Sequence, residues 1–426
     1  MSFSYELNKT TVDRPSSRNL FICHTMHAII ELFLSTFLIA YVYNLSTNVF
    51  DYVLKVGTLQ LSVYVTFLLT NVFFSYLTDK TNRIGLYRVS LALKVFMLFL
   101  LIFFGEKMAT LLILYGFLTG LSESCYYASY NVLKQEMVSR KSISSFSVFY
   151  QVTARMVNVV FPIIFGCLLD IQTFAQVSIY VLAITFFTFI LSFWVKAKKP
   201  EGSEFKLREY LKKINNQSEP AKKIKFLYIC YFIYGFTTVV DSLTSICIML
   251  NFGSTFSLGY LTSIIAIFVI IEILLIKRFT KEGKRSWLYF ISSTLPIIAS
   301  MVFIFNQSIT TIIIYNFAKN ATGIIIATIY DVYRNSNLKE AGLYSEISEH
   351  HAVVEIVLCL SRIFSYSLMI LIGLYANPTV FNTLFIIFSC SFSVLLILLM
   401  VYEKNFFTKT PEEKSMEIIR KCLKNT

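Results

Sequence analysis

His24, His27 and Glu31 stand at positions i, i+3 and i+7 of one apolar run, which places all three on a single helix face. Three chemistries suit such a stripe. It could be a hydrogen-bonded polar face turned to a cavity. It could carry protons, because imidazole titrates near neutrality and burial moves carboxylates toward the same range. It could also bind a metal or form the active site of a membrane-embedded, lipid-modifying enzyme. No further His or Cys cluster supplies the third ligand set of a metal site, so neither a metal nor another cofactor is expected.

Other ionisable side chains are stranded in apolar runs in the same way: Lys94, Glu123, Arg155, Asp241, Glu272, Lys319, Glu355 and Arg362. A charge at the centre of a bilayer costs about 2.5–3.5 kcal/mol on insertion scales, so each is a functional candidate. Glu31, His27, Glu123 and Asp241 are candidates for proton coupling. Arg155, Lys319, Glu355, Arg362 and Glu272 are candidates for binding or gating a solute, since guanidinium forks suit carboxylate or phosphate. Two structural pairings compete with that role: Arg155 with Glu123, and Arg362 with Glu355 at i−7. Lys94 lies near the inner end of its run and is expected to snorkel to the interface. Without it, these acids outnumber the bases, so the charge of a solute is not readable.

The elements that position these groups follow from composition. The chain has 426 residues, 56% hydrophobic and 15% charged, whereas a soluble domain carries about 25% charged residues. A bilayer needs about 20 apolar residues per spanning helix. Runs of that size fall at 21–43, 53–78, 87–105, 108–132, 142–169, 174–195, 226–250, 254–276, 287–305, 308–333, 352–375 and 379–402. The first run lacks a small-residue cleavage site and reads as a spanning helix, not a removable signal.

Net charge is +13, yet only Lys55 and Lys107 sit at the ends of the runs opposite the two tails. This asymmetry places both termini in the cytoplasm and makes the basic balance topological. It implies anionic lipid headgroups as a weak partner and gives no reason to expect nucleic acid. The eight Cys form no C-x-x-C pair, and no disulfide framework is expected.

The runs divide six and six about a basic segment, 196–225, whose 205–214 part is amphipathic and expected to lie on the membrane surface. The halves repeat. Tyr115, Phe117 and Tyr130 recur at an offset of 200 as Tyr315, Phe317 and Tyr330. Arg155 and Gly166 recur at an offset of 207 as Arg362 and Gly373. The expected organisation is a six-helix bundle at 1–195, a cytoplasmic linker at 196–225, a second bundle at 226–402 and a tail at 403–426.

The connection between the second and third runs reads Ser75-Tyr-Leu-Thr-Asp79-Lys80-Thr-Asn82-Arg83-Ile84. It resembles the signature loop of the major facilitator superfamily of secondary transporters, Gly-x-x-x-Asp-Arg/Lys-x-Gly-Arg-Arg/Lys, with Ser75 and Asn82 in place of both glycines and Ile84 in place of the last basic residue. The resemblance, extended by the six-plus-six repeat, covers nearly the whole chain. It implies an all-α membrane protein of twelve transmembrane helices in two pseudo-symmetric bundles, with helices 3, 6, 9 and 12 outermost. The ionisable groups follow that arrangement, Lys94 excepted. It further implies a monomeric plasma-membrane transporter and no enzyme, moving a small or amphipathic solute by alternating access, with Asp79, Lys80 and Arg83 as a conformational latch. Pro162 and Gly166 are similar to part of the glycine-proline motif of the superfamily's drug/proton antiporters, but Phe161 stands where that motif has glycine. Export of a lipid or drug, and a non-transporting sensor of the same fold, remain open alternatives. No nucleotide-binding loop is present, so a proton or solute gradient is the expected energy source.

Overall fold

The computed structural model describes residues 14–137, 143–196, 205–216, 218–279, 285–343, 346–375 and 378–406. Among them the chain is helical, with twelve long helices. The first half holds α1 (Ser16–Asn44), α2 (Val49–Lys80), α3 (Arg83–Phe104), α4 (Leu112–Met137), α5 (Ile143–Ile171) and α6 (Phe174–Leu191). The second holds α7 (Glu219–Phe252), α8 (Thr255–Phe279), α9 (Arg285–Phe305), α10 (Ile309–Glu340), α11 (Ile347–Tyr375) and α12 (Pro378–Phe406). Eight stretches of the described residues are long and apolar enough to cross a membrane. The helix α4 falls short of that standard because Ser122, Glu123 and Ser124 interrupt its apolar run.

Local chemistry sets the boundaries. Asn48 caps α2 by accepting from the backbone N–H groups of Phe50 and Asp51 at 3.0 and 2.9 Å. Thr173 and Gln176 form a reciprocal capping box at the start of α6. Asn82, at a motif-glycine position, caps α3 through the N–H of Ile84 with φ −71°. A glycine's freedom is not needed there. Gly253 ends α7 in the left-handed region at φ 61°. Several helices outrun their apolar spans because polar helix formers continue the hydrogen-bond ladder beyond the lipid, as at Glu219–Lys225 of α7.

The end of the bundle where α1 begins is called proximal below and the opposite end distal. The antiparallel pair α2 and α11, one from each half, stay in contact along their length. Distally, a Cβ on Gly373 would lie 2.9 Å from the Leu54 backbone nitrogen, and one on Gly57 would lie 2.9 Å from the Ile370 side chain. Midway, the Tyr64 and Tyr366 rings stack at 5.5 Å. Proximally, Asn71 Nδ2 donates to the Ala352 carbonyl at 3.1 Å.

The distal crossing of α5 and α8 repeats this device. A Cβ on Gly259 would meet the Pro162 carbonyl oxygen at 2.1 Å, and one on Gly166 the Thr255 carbonyl oxygen at 3.0 Å. The repeat-related Gly166 and Gly373 thus occupy corresponding crossings in the two halves. The role of Pro162 and Gly166 is to bring two backbones together across the halves.

The amphipathic linker segment is helical at Leu207–Ile214, but protein covers its apolar face. Tyr210 and Ile214 are buried with Ile224, Leu338, Leu343 and Ile347 beneath the proximal ends of α7, α10 and α11. The Tyr210 hydroxyl lies 2.8 Å from both the Tyr228 hydroxyl and His350 Nδ1. A tyrosine facing lipid would leave that hydroxyl without partners, and the C-terminal half supplies them. Lys213 pairs with Glu346 at the edge, which raises its pKa.

The tight α5–α8 crossing yields a prediction. In Gly259→Val, spin labels at Gln172 and Ser254 should report a longer distance than in the wild-type background, because a backbone carbonyl cannot yield to the added side chain. An unchanged distance distribution would show that the crossing is not held by this contact.

Candidate functional site

Polar side chains from both halves converge on a central cavity of about 570 Å³. Its walls come from α1 (His24, His27, Glu31), α2 (Gln60, Tyr64), α4 (Tyr127), α5 (Arg155, Asn158), α7 (Thr238, Asp241, Ser242), α8 (Thr262), α10 (Asn316, Lys319, Asn320) and α11 (Tyr366). A second space of about 300 Å³ shares Glu31, Ser35, Gln60, Tyr64 and Tyr127 with it and adds Glu123, Glu355 and Arg362. The volumes fall in the range of small-molecule sites, about 300–1,000 Å³. Among the described residues, none from α3, α6, α9 or α12 lines either space, in keeping with the outer place expected of these helices. Glu272 lies on α8, and its side chain is outside those described.

Lys94 departs from its expectation. It does not snorkel: it is 1% exposed, and its ammonium donates to Glu123 at 2.5 Å and to Glu31. Two carboxylates, on α1 and α4, compensate the charge inside the bundle, so the side chain has no reason to reach for the interface. This also changes the expected pairing of Arg155 with Glu123, because Glu123 binds Lys94 and Arg155 lines the central cavity. Glu31 is the member of the cluster that reaches the cavity, with its side chain 28% exposed against 11% for Glu123.

The histidine stripe meets tyrosines on α4 that the sequence reading missed. The His24 ring stacks on Tyr130 at 3.7 Å and the His27 ring on Tyr126 at 3.5 Å, while His24 Nδ1 bonds the Tyr126 hydroxyl. Tyr126 and Tyr130 stand at i and i+4, the spacing that meets an i, i+3 pair on a neighbouring helix. Both ring nitrogens of His27 are buried with no hydrogen-bond partner. His27, Glu31 and Glu123 bring donor atoms within 4.8 Å of one another, a grouping that could hold a metal ion. The Lys94 ammonium already bridges the two carboxylates, so a cation's place there is taken by a protein group. A π-helical turn at Phe33–Phe37 follows directly, and Ser35 Oγ donates to the Glu31 carbonyl at 2.6 Å.

In the second half, Lys319 Nζ donates to Asp241 Oδ1 at 2.6 Å. The lysine side chain is 8% exposed and the aspartate 69%, so the ammonium is sheathed and the carboxylate faces the cavity. Arg362 donates through Nε to Thr238 at 3.2 Å and lies 5.0 Å over the Tyr64 ring of the other half. Glu355 lines the same space and attracts it electrostatically. Among the described side chains, the acids Glu31, Glu123, Asp241 and Glu355 stand beside four bases, Lys94, Arg155, Lys319 and Arg362. Gln60, Asn158, Asn316 and Asn320 also line the cavity. Amides within apolar runs were the signal available for them.

At the proximal end, Asp79 and Arg83 are buried and paired at 3.3 Å, and Arg83 Nε donates to the Thr78 carbonyl. Ser348 of α11 donates to Asp79 Oδ1 at 3.4 Å, so the loop between α2 and α3 reaches the other half. Lys80 extends over the Tyr76 ring of its own helix at 4.7 Å.

The buried cluster predicts a pattern of stability. Lys94→Met leaves two facing carboxylates and should cost about 3–5 kcal/mol, whereas Lys94→Met combined with Glu31→Gln and Glu123→Gln should recover most of that loss. Thermal melts of the purified protein in detergent measure both. A single mutant as stable as wild type would mean that the ammonium is solvated.

No curated protein sequence matches the chain. Solved structures do match it in fold. They include a POT family transporter in complex with a thioalcohol-conjugated peptide (TM-score 0.67, 12% identity, 92% of this chain and 96% of that one). The human organic anion transporter MFSD10 (TETRAN) is similar as well (TM-score 0.64, 12% identity, 91% and 99%). So is a mutant of the nucleoside transporter NupG (TM-score 0.62, 12% identity, 91% and 99%). The family model described as Major Facilitator Superfamily matches residues 20–344, and with two six-helix bundles closing on a polar central cavity, the chain belongs to that superfamily of transporters.

Proposed function

We propose that the chain is a proton-coupled secondary transporter that moves a small polar solute by alternating access. The observation that carries this reading is the Lys94–Glu31–Glu123 cluster opening through Glu31 onto a cavity shared by both halves. One ammonium between two carboxylates leaves a net charge of −1, which a single proton neutralises. Glu31, with the greater access to the cavity, exchanges that proton, and Glu123 holds Lys94 in either state. His27 lies within relay distance of both acids.

The two halves, 1–195 and 226–402, rock about the cavity. The distal glycine crossings and the proximal contact of Asp79 with Ser348 act as the two sets of gating contacts, and Arg83 orients Asp79. The excess of Lys and Arg at the proximal end favours cytoplasmic termini in a plasma membrane. A lipid or apolar drug is a poorer solute here, because it would desolvate Asp241, Arg155 and the surrounding amides without replacing their hydrogen bonds. The same cavity argues for solute translocation over a lipid-modifying role for the histidine stripe, whose rings are committed to stacking.

The test is solute-stimulated proton movement in proteoliposomes carrying a pH dye, screened with sugars, amino acids, peptides, nucleosides and amphipathic drugs. The wild type should acidify or alkalinise the lumen with one of these classes. Glu31→Gln should abolish proton movement while solute exchange persists. Exchange with no proton movement in the wild type would remove proton coupling, and proton movement retained in Glu31→Gln would assign the proton to another group.

A further inference from the structure

The cavity's charges show what kind of solute it holds, an inference that rests on the transport reading. Among the described residues, Glu31 and Arg155 of one half and Asp241 and Lys319 of the other line the central cavity, an acid and a base from each. The walls are therefore dipolar. Asp241 Oδ1 is taken by Lys319, while Oδ2 accepts no hydrogen bond among the described residues and the side chain is 69% exposed to the cavity. On the other half, Arg155 of α5 lines the same space of about 570 Å³.

The geometry points to a zwitterionic solute of amino-acid to dipeptide size, its ammonium on Asp241 and its carboxylate on Arg155. Asn158, Asn316 and Asn320 supply amide donors and acceptors for the groups between the two charges. Asp241 and Arg155 belong to different halves, so a solute with both charges bridges the bundles. A solute with one charge binds a single half. Bridging makes the occupied cavity favour closure, because only a closed arrangement satisfies both ends at once.

The experiment measures thermal protection of the full-length protein in detergent by five probes: alanine, alanyl-alanine, N-acetyl-alanyl-alanine, alanyl-alanine amide and uridine. Alanine or alanyl-alanine should protect, and each capped analogue should bind roughly tenfold to a hundredfold more weakly, the value of one charge-assisted hydrogen bond. Asp241→Asn should remove the discrimination against the acetylated form, and Arg155→Gln that against the amide. If either variant fails to fold, the wild-type ranking of the five probes decides alone. Equal or better protection by uridine or a capped form, or no protection by either zwitterion, overturns the assignment. Counterflow in proteoliposomes separates the two readings: protection by zwitterions without counterflow overturns transport and leaves the assignment standing. Counterflow of uridine without zwitterion protection does the reverse.

Discussion

The N-terminal half is organised around one buried ammonium. Lys94 leaves α3, nominally an outer helix, and ties α1 to α4 through Glu31 and Glu123. An unpaired lysine at that depth would cost far more than any one hydrogen bond returns, so the three helices are held in one register by charge balance. The stacked rings of His24, His27, Tyr126 and Tyr130 extend the same seam toward the proximal end. The cluster therefore gives rigidity within a bundle, leaving movement to the contacts between bundles.

Those contacts are of a different kind. The helices α2 with α11 and α5 with α8 meet distally through glycines, which admit the Leu54 backbone at Gly373, the Ile370 side chain at Gly57 and the Pro162 carbonyl at Gly259. Surfaces of this sort fit closely when together and carry no charged groups that would have to be unpaired on separation. The bonds that do cross between halves are few and polar, such as Asn71 to Ala352 and Ser348 to Asp79. Each can exchange with water at modest net cost. Rocking in this arrangement would keep each half intact and act on the α2–α11 and α5–α8 crossings, where the halves pack most extensively.

Much of this was legible in one dimension. The apolar runs coincide with the twelve long helices, eight of which hold a described stretch long and apolar enough to cross a membrane, and the glycine repeat was visible as Gly166 and Gly373. The function of those glycines was not, since a close crossing depends on which backbone lies opposite. Lys94 was misread for a related reason. Its distance from the helix end is a local fact, and snorkelling is the local answer, but two carboxylates from other helices decide the outcome. The linker helix shows the same limit. The spacing of Leu207, Tyr210 and Ile214 announces an apolar face without saying whether lipid or protein covers it. Counting only ionisable groups also overlooked Gln60, Asn158, Asn316 and Asn320, which carry much of the cavity's polarity.

The position of Glu31 relates the solute to the proton. It lines both spaces and is bonded to the ammonium that holds the bundle. In the proposed cycle, neutralising Glu31 shifts Lys94 wholly onto Glu123 and removes one charge from the cavity wall, and a solute in the cavity sees that change directly. Linkage is reciprocal, so a solute that binds more tightly to the protonated wall must raise the affinity for the proton by the same factor. The π-helical turn beginning two residues after Glu31 places a wider, less regular segment of α1 against the cavity, where a small rotation of the helix would move the carboxylate from one space toward the other. Coupling in this arrangement needs no long-range path, because the proton site and the solute site share a side chain.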